Sequence, residues 1–136
     1  MWYPHIVRTE DVCALAGRLL VSVIFLASAF GKITNFEATT RFMSAHGLPS
    51  AVFLCALAAL VEALGGISLI LGYQTRLAAG VLAAFLVAAT GVFHLGSSPE
   101  QRIHLLKNLA ILGGLLKVMA FGPGPISLED GSRTAR

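Results

Sequence analysis

The sequence is poor in charge. Lys, Arg, Asp and Glu together make up 12% of its 136 residues, whereas 56% are hydrophobic. Roughly a quarter of the residues of a soluble globular domain are charged, so this composition excludes an ordinary water-soluble domain. The ten Lys and Arg residues are scattered and form no basic run, although the net charge is +3. The sequence therefore does not indicate nucleic-acid binding, and its basic residues are typical of charges that flank membrane spans.

Cysteine is also scarce. The two cysteines, Cys13 and Cys55, have no CxxC spacing, which argues against a disulfide scaffold and against a zinc site. They are predicted to lie roughly 20 Å apart in depth, at about 1.5 Å per helical residue, whereas a disulfide needs Cα atoms within about 7 Å. We expect both to be small packing residues. The sequence has no obvious flavin, haem or iron–sulfur motif, and we predict no metal site.

What the sequence does contain is four long apolar segments, at residues 12–30, 51–72, 77–95 and 105–121. Each approaches the roughly 20 residues that a helix needs to cross about 30 Å of hydrocarbon. Backbone polar groups cannot stay unpaired in lipid, so the segments are predicted to be helices. The prediction is an all-α bundle of four transmembrane helices in one domain, residues 1–128, with a polar tail at 129–136 and both termini on one side of the membrane.

The connection between the first two spans has a different pattern. Ile33, Phe36, Phe42 and Met43 recur among polar residues at a partly helical spacing, and Pro49 follows shortly afterwards. This pattern predicts a short amphipathic helix at the membrane interface. Lys and Arg residues are balanced between the two sides, so the positive-inside rule gives no orientation.

Glu62, at the middle of the second span, is the residue that most needs a partner. An ionisable group at this depth costs about 2.5 to 3.5 kcal/mol on insertion scales, so it usually faces the protein interior. By helical rise, Glu62 lies roughly 16 Å and Arg18 roughly 18 Å from the side on which the first span ends. We predict that Glu62 pairs with Arg18, and Lys117, at a similar depth, is the second candidate.

Each span has one stripe of polar or small residues, and the four stripes are predicted to converge. They are Arg18, Ser22, Phe25, Ala29 and Lys32; Cys55, Ala58, Ala59, Glu62, Gly65, Gly66 and Leu69; Ala83, Val87, Thr90 and His94; and Lys107, Ala110, Gly114 and Lys117. Lys32, His94, Lys107 and Asn108 are predicted to cluster near the side on which the first span ends. Together with Arg18 and Glu62 they are the candidates for a ligand site or polar core. The alternative is a structural ion pair, with lysines that extend to the headgroups.

Short motifs spread over residues 12–128 resemble the DoxX family of bacterial membrane proteins. They are Gly17-Arg18-Leu19-Leu20, Phe30-Gly31-Lys32, Gly47-Leu48-Pro49, Glu62-Ala63-Leu64-Gly65-Gly66, Leu71-Gly72 with Thr75-Arg76, His94, Lys107-Asn108 and Gly122-Pro123-Gly124. The resemblance implies four spans in the bacterial cytoplasmic (inner) membrane, with both termini cytoplasmic.

The family is similar to the membrane subunit of thiosulfate:quinone oxidoreductase, which implies a quinone or another small hydrophobic ligand between the helices. In this hypothesis His94 and Lys107-Asn108 offer hydrogen bonds to the ligand, Glu62 relays protons, and a soluble or membrane redox protein is the partner. A second hypothesis is a non-catalytic scaffold or assembly partner for a redox enzyme. A third is transport of a small solute, for which the chain would need to form a homo-oligomer.

Overall fold

The chain folds into helices throughout the part that the structure, a computed structural model, describes, which is residues 6–130. The helices are α1 (Thr9–Thr34), α2 (Phe36–Ala45), α3 (Ala51–Leu71), α4 (Thr75–Phe93) and α5 (Pro99–Phe121). By length and composition α1, α3, α4 and α5 could each cross a membrane. The predicted fold class, four spanning helices with a short helix after the first, is confirmed.

α1 and α5 extend beyond the apolar segments that predicted them. α1 begins with Thr9, and Glu10 and Asp11 in its first turn suit the positive end of the helix dipole. α5 begins at Pro99, preceded by Ser98, whose hydroxyl accepts a hydrogen bond from the Gln101 backbone N–H. A serine cap followed by proline is a strong helix start. Hydropathy marks the hydrocarbon-spanning part of each helix, whereas capping residues decide where the helix begins.

The four long helices form two tightly packed pairs, α1 with α3 and α4 with α5. In the first pair Gly66 lies so close to α1 that a Cβ there would be 2.8 Å from Leu26. In the second, Asn108 Nδ2 donates to Thr90 Oγ1 at 2.8 Å. Small residues let helix backbones approach closely in a membrane.

The two pairs meet along α3 and α4. The meeting is tightest near Gly65, where a Cβ would be 2.7 Å from the Leu82 side chain. A short turn at residues 72–74 joins α3 to α4, and Gly72 adopts φ 66° there. Among the interfaces α1–α3, α4–α5, α3–α4 and α1–α5, the last is the smallest. The two pairs therefore make more contact through α3 and α4 than through α1 and α5.

The buried faces agree with the predicted stripes on α3 and largely on α1, but not on α4 and α5. All seven predicted positions on α3 are buried, as are Arg18, Ser22, Phe25 and Ala29 on α1. On α4, Val87 is 56% exposed, and the buried face runs from Thr75 to Leu86. On α5 only Leu115 is buried, whereas Lys107, Ala110 and Lys117 are exposed. The predicted α5 stripe was wrong because α5 is apolar on both its lipid side and its protein side.

The segment after α5 folds back across the end of the bundle opposite α2. Arg18 Nη1 donates to the Pro123 carbonyl at 2.5 Å, and Nη2 donates to the Ile126 carbonyl at 2.9 Å. Glu129 Oε1 accepts a hydrogen bond from the Thr75 backbone N–H at 2.7 Å, and the Glu129 backbone N–H donates to the Gly72 carbonyl at 3.0 Å. The predicted polar tail thus begins with docked residues, and its remainder, residues 131–136, lies outside the described residues.

Candidate functional site

A cavity of about 680 Å³ lies between the two helix pairs, in the half of the bundle nearer α2. All five helices contribute to its walls, which are mostly apolar. Its polar lining residues are Ser28, Lys32, Thr39, Glu62, His94 and Asn108. Four of these, Lys32, Glu62, His94 and Asn108, are sequence candidates, so the fold brings them to one cavity.

The Lys32–Glu62 ion pair is the most buried polar feature of the cavity. Lys32 Nζ lies 2.8 Å from Glu62 Oε2 and 3.2 Å from Oε1. Ser28 joins the two groups, since its hydroxyl donates to Glu62 Oε1 at 3.0 Å and accepts from Lys32 Nζ at 2.7 Å. The Glu62 side chain is only 5% exposed and that of Lys32 20%. An ionised carboxylate at this depth is therefore neutralised by a cation from the partner helix.

The predicted pairing of Glu62 with Arg18 is wrong, and so is the alternative pairing with Lys117. The Ser28 contact sets Glu62 level with Ser28 on α1, ten residues and about 15 Å along the helix from Arg18. Side chains on a helix also lean towards its N-terminus. Lys32 therefore reaches back into the bundle towards Glu62, whereas Arg18 points away from it, towards the segment after α5.

His94 and Asn108 line the cavity from α4 and α5. His94 follows the last residue of α4, and its Nδ1 lies 3.1 Å from Gln101 Oε1. Its ring stacks on His104 with centroids 4.9 Å apart. Asn108 is tied to Thr90, which leaves the Asn108 carbonyl oxygen without a donor among residues 6–130. Both residues therefore retain hydrogen-bonding capacity that a ligand in the cavity could use.

The remaining candidates lie elsewhere. Arg18 is 2% exposed and binds backbone carbonyls at the other end of the bundle. Lys107 is exposed and is absent from the cavity lining. Lys117 is also exposed, with its Nζ 4.9 Å from the centre of the Phe121 ring. Both lysines are on the outer surface of α5.

An aromatic cluster covers the α2 end of the cavity. Phe42 of α2 stacks on Phe93 of α4 with centroids 5.5 Å apart, and His46 contacts both rings. Met43, the next residue of α2, is buried and packs against α3. α2 therefore contacts both helix pairs and forms the cavity wall nearest the membrane surface.

Sequence reasoning missed several residues that shape the site. Ser28 could have been found, because it lies four residues before Lys32 and so faces it on the helix. Gln101 and Thr39 carry no such signal, since each lies in a polar stretch that reads as interfacial. No group of three or more His, Cys, Asp and Glu side chains within residues 6–130 has an arrangement that could hold a metal ion.

Comparison with known proteins identifies the family. The DoxX family model matches residues 13–95. The chain is 33% identical over 123 residues to the inner membrane protein YqjF of Escherichia coli, covering 90% of this chain and 93% of YqjF. It is 31% identical over 127 residues to the E. coli inner membrane protein YphA, covering 88% and 90%.

A more distant similarity is to a Bacillus subtilis protein named "Putative oxidoreductase CatD", 29% identical over 82 residues and 60% of each chain. No solved structure matches the sequence. The family model covers more than half of the chain, and two inner membrane proteins match nearly all of it. This chain, with its four spanning helices, therefore belongs to the DoxX family of membrane proteins.

Proposed function

We propose that this protein is a redox-associated component of the bacterial inner membrane that binds a quinone or another small hydrophobic ligand in the cavity. The observation that carries the proposal is the buried Lys32–Glu62 pair at the inner end of a mostly apolar cavity. A pair that served packing alone would not need about 680 Å³ of space beside it. Buried ionisable groups beside a cavity in a membrane protein are functional more often than not.

The residues present fit a neutral ring with polar substituents. The positive charge of Lys32 is cancelled by Glu62, so an anionic ligand would leave the site with an excess negative charge. Lys32 has three N–H donors. Ser28 and Glu62 Oε2 accept two of them at 2.7 and 2.8 Å, and the third makes only the longer, 3.2 Å contact with Glu62 Oε1, which already accepts from Ser28. A ligand carbonyl or hydroxyl oxygen can accept the third, and Asn108 and His94 add further polar contacts.

The apolar part of the ligand has a route to the bilayer. Leu57 of α3 and Val81 of α4 both line the cavity, and they are 44% and 46% exposed. Both lie well inside their spans, at the depth of the lipid tails rather than of the headgroups. A hydrocarbon tail leaving between α3 and α4 would therefore remain in an apolar environment.

The redox part of the proposal comes from the family resemblance and from the name of the CatD relative. A quinone supplies electron and proton transfer when it is bound. In this chain Glu62 is the group that would hold or release a proton beside it, with Lys32 and Ser28 fixing the position of the carboxylate. Electrons would come from a redox protein, soluble or in the membrane, docked on this chain or on a homo-oligomer of it.

We further propose that both termini face the cytoplasm, as the family resemblance implies. With four spans the two ends of the chain lie on the same side. A C-terminal fusion to green fluorescent protein should fluoresce, whereas a C-terminal fusion to alkaline phosphatase should be inactive. The opposite pattern would place the termini outside.

The first test of ligand binding is mass spectrometry of the small hydrophobic molecules that co-purify with the protein. Wild type is compared with Glu62→Gln, which removes the charge inside the cavity. Glu37→Gln is the matched control, because Glu37 is an exposed carboxylate on α2, paired with Arg41 away from the cavity.

A quinone retained by wild type and by Glu37→Gln, but lost from Glu62→Gln, is the expected result. Bulk lipid alone, identical in all three proteins, would contradict the proposal. If the protein carried no ligand and a soluble redox enzyme co-purified with it, the result would favour the scaffold function over ligand binding.

A further inference from the structure

Gln101 holds one edge of the His94 ring. Its Oε1 lies 3.1 Å from His94 Nδ1. Its own backbone N–H donates to the Ser98 hydroxyl that caps α5. Gly96 packs against it so closely that a Cβ on Gly96 would be 2.9 Å from Gln101 Cγ. The residues at the start of α5 thus hold the Gln101 backbone and pack against the base of its side chain.

The contact defines which nitrogen of His94 carries the proton. An amide oxygen only accepts hydrogen bonds, so in this orientation of the Gln101 amide Nδ1 donates to Oε1. In the neutral ring the other nitrogen, Nε2, then has a free lone pair. His94 also lines the cavity, and its Nδ1 edge is occupied by Gln101. The nitrogen that the ring can offer to a ligand is therefore Nε2, as an acceptor.

We propose that Gln101 is a positioning residue that holds His94 in the Nδ1–H tautomer, so that His94 Nε2 accepts a hydrogen bond from a hydroxyl group of the ligand. This inference rests on the proposed function and narrows its substrate class. The His94 ring also stacks on the His104 ring, with centroids 4.9 Å apart and an interplanar angle of 21°, and this contact restricts rotation of the His94 ring.

The ligand class follows from the polar groups at the two ends of the cavity. Lys32, at the inner end, offers a donor, whereas His94 Nε2, near the α2 end, offers an acceptor. A hydroquinone can satisfy both, because it has a hydroxyl on each side of its ring, one to accept from Lys32 and one to donate to His94 Nε2. An oxidised quinone has no hydrogen to donate and would leave Nε2 unpaired, at the cost of a hydrogen bond.

The tautomer is measured first, without ligand, by nitrogen NMR of the protein labelled at its histidines in lipid nanodiscs. Spectra are taken at about pH 9, where an ordinary imidazole is neutral. The His94 signal is assigned by its loss in His94→Asn. His46 is an internal reference, because its Nδ1 lies 2.8 Å from the Phe42 carbonyl, which can only accept.

The expected result is an Nδ1–H tautomer for both His94 and His46 in wild type. In Gln101→Met, which keeps the side-chain length but has no carbonyl oxygen, His94 should shift to Nε2–H while His46 is unchanged. Gln101→Glu, which restores an acceptor, should return His94 to Nδ1–H. A His94 ring protonated on Nε2 in wild type would overturn the proposal.

Ligand class is measured next, with a short-chain hydroquinone, its oxidised quinone and its dimethyl ether as probes. The hydroquinone should bind wild type tighter than the ether by roughly threefold to tenfold, the worth of one hydrogen bond. Gln101→Met should remove that preference, and Gln101→Glu should restore it. Equal affinity for all three probes in wild type would refute the hydroxyl–His94 contact while the quinone site stands. No binding of any probe would refute the proposed function, and the ligand-free tautomer would be unaffected.

Discussion

Lys32 Nζ lies 2.8 Å from Glu62 Oε2, and this contact joins α1 to α3 within one tightly packed helix pair. The ion pair therefore lies within one helix pair and does not bridge the two pairs. It can stabilise the α1–α3 pair and still present its polar edge to the cavity. A structural role and a ligand-binding role are thus compatible at the same two residues.

The first prediction concerns the energy of that pair. Glu62→Gln and Lys32→Met should each lower the free energy of unfolding by about 3 kcal/mol, because each leaves an uncompensated charge in the bundle. The double variant should lose less than the sum of the two, since it removes both charges. Reversible unfolding in mixed detergent micelles measures all four proteins. Strictly additive losses would show that the two residues do not interact.

The second prediction concerns Arg18. Arg18→Met should release residues 122–130, because the carbonyls of Pro123 and Ile126 lose their donors. Limited proteolysis after residue 121 should become at least roughly tenfold faster, as expected for the loss of about 1.4 kcal/mol of local stability. Arg8→Met, which removes an exposed arginine paired with Glu10, is the control. Ligand retention should be unchanged in Arg18→Met, because Arg18 does not line the cavity.

The third prediction concerns the contact between the two helix pairs. Gly65→Ala should destabilise the protein by about 1 to 3 kcal/mol, because its Cβ would meet the fully buried Leu82 side chain at 2.7 Å. Gly113→Ala is the control, since nothing lies within 4 Å of its added Cβ. The control should be neutral or slightly stabilising, because alanine favours the helix over glycine. Equal effects of the two changes would contradict the close α3–α4 contact.

The fourth prediction concerns the two thiols. Cys13 is exposed on the first turns of α1, whereas Cys55 is fully buried where α3 packs against Met43 of α2. N-ethylmaleimide should modify one thiol per chain in folded protein and two after denaturation in dodecyl sulfate. Mass spectrometry of peptides identifies which cysteine reacted. Rapid modification of Cys55 in the folded protein would show that α2 opens away from α3.

The sequence predicts the helices and one helix face well, for a physical reason. On α3 small residues recur at helical spacing around Glu62, and in a membrane small residues mark protein contact rather than lipid contact. On α5 the small residues do not mark one face, because Gly114 lies close to Val21 of α1 whereas Ala110 and Gly113 are exposed. The lipid-facing and protein-facing residues of α5 are both apolar, so the few lysines are the strongest pattern, and they face outwards.

The partners of the charged residues could not be obtained from helical depth alone. Depth locates Cα atoms, whereas long side chains carry their charges several ångströms towards the helix N-terminus. The offset between α1 and α3 also depends on α2, whose ten residues turn the chain between them. The cavity itself arises from the packing of two helix pairs, and no local sequence pattern encodes a gap.

The two-pair architecture makes the cavity the part of the bundle most sensitive to the angle between the pairs. The pairs are joined by the short turn at residues 72–74, and the cavity lies towards the far ends of α3 and α4. α3 is about 31 Å long at 1.5 Å per residue, so a rotation of about 5° at the turn moves its far end by about 2.7 Å. That displacement is comparable to the thickness of an aromatic ring. The same rotation moves Gly65, about 10 Å from the turn, by only about 0.9 Å, so a change in the angle between the two pairs alters the width of the cavity about three times as much as it alters the Gly65–Leu82 contact.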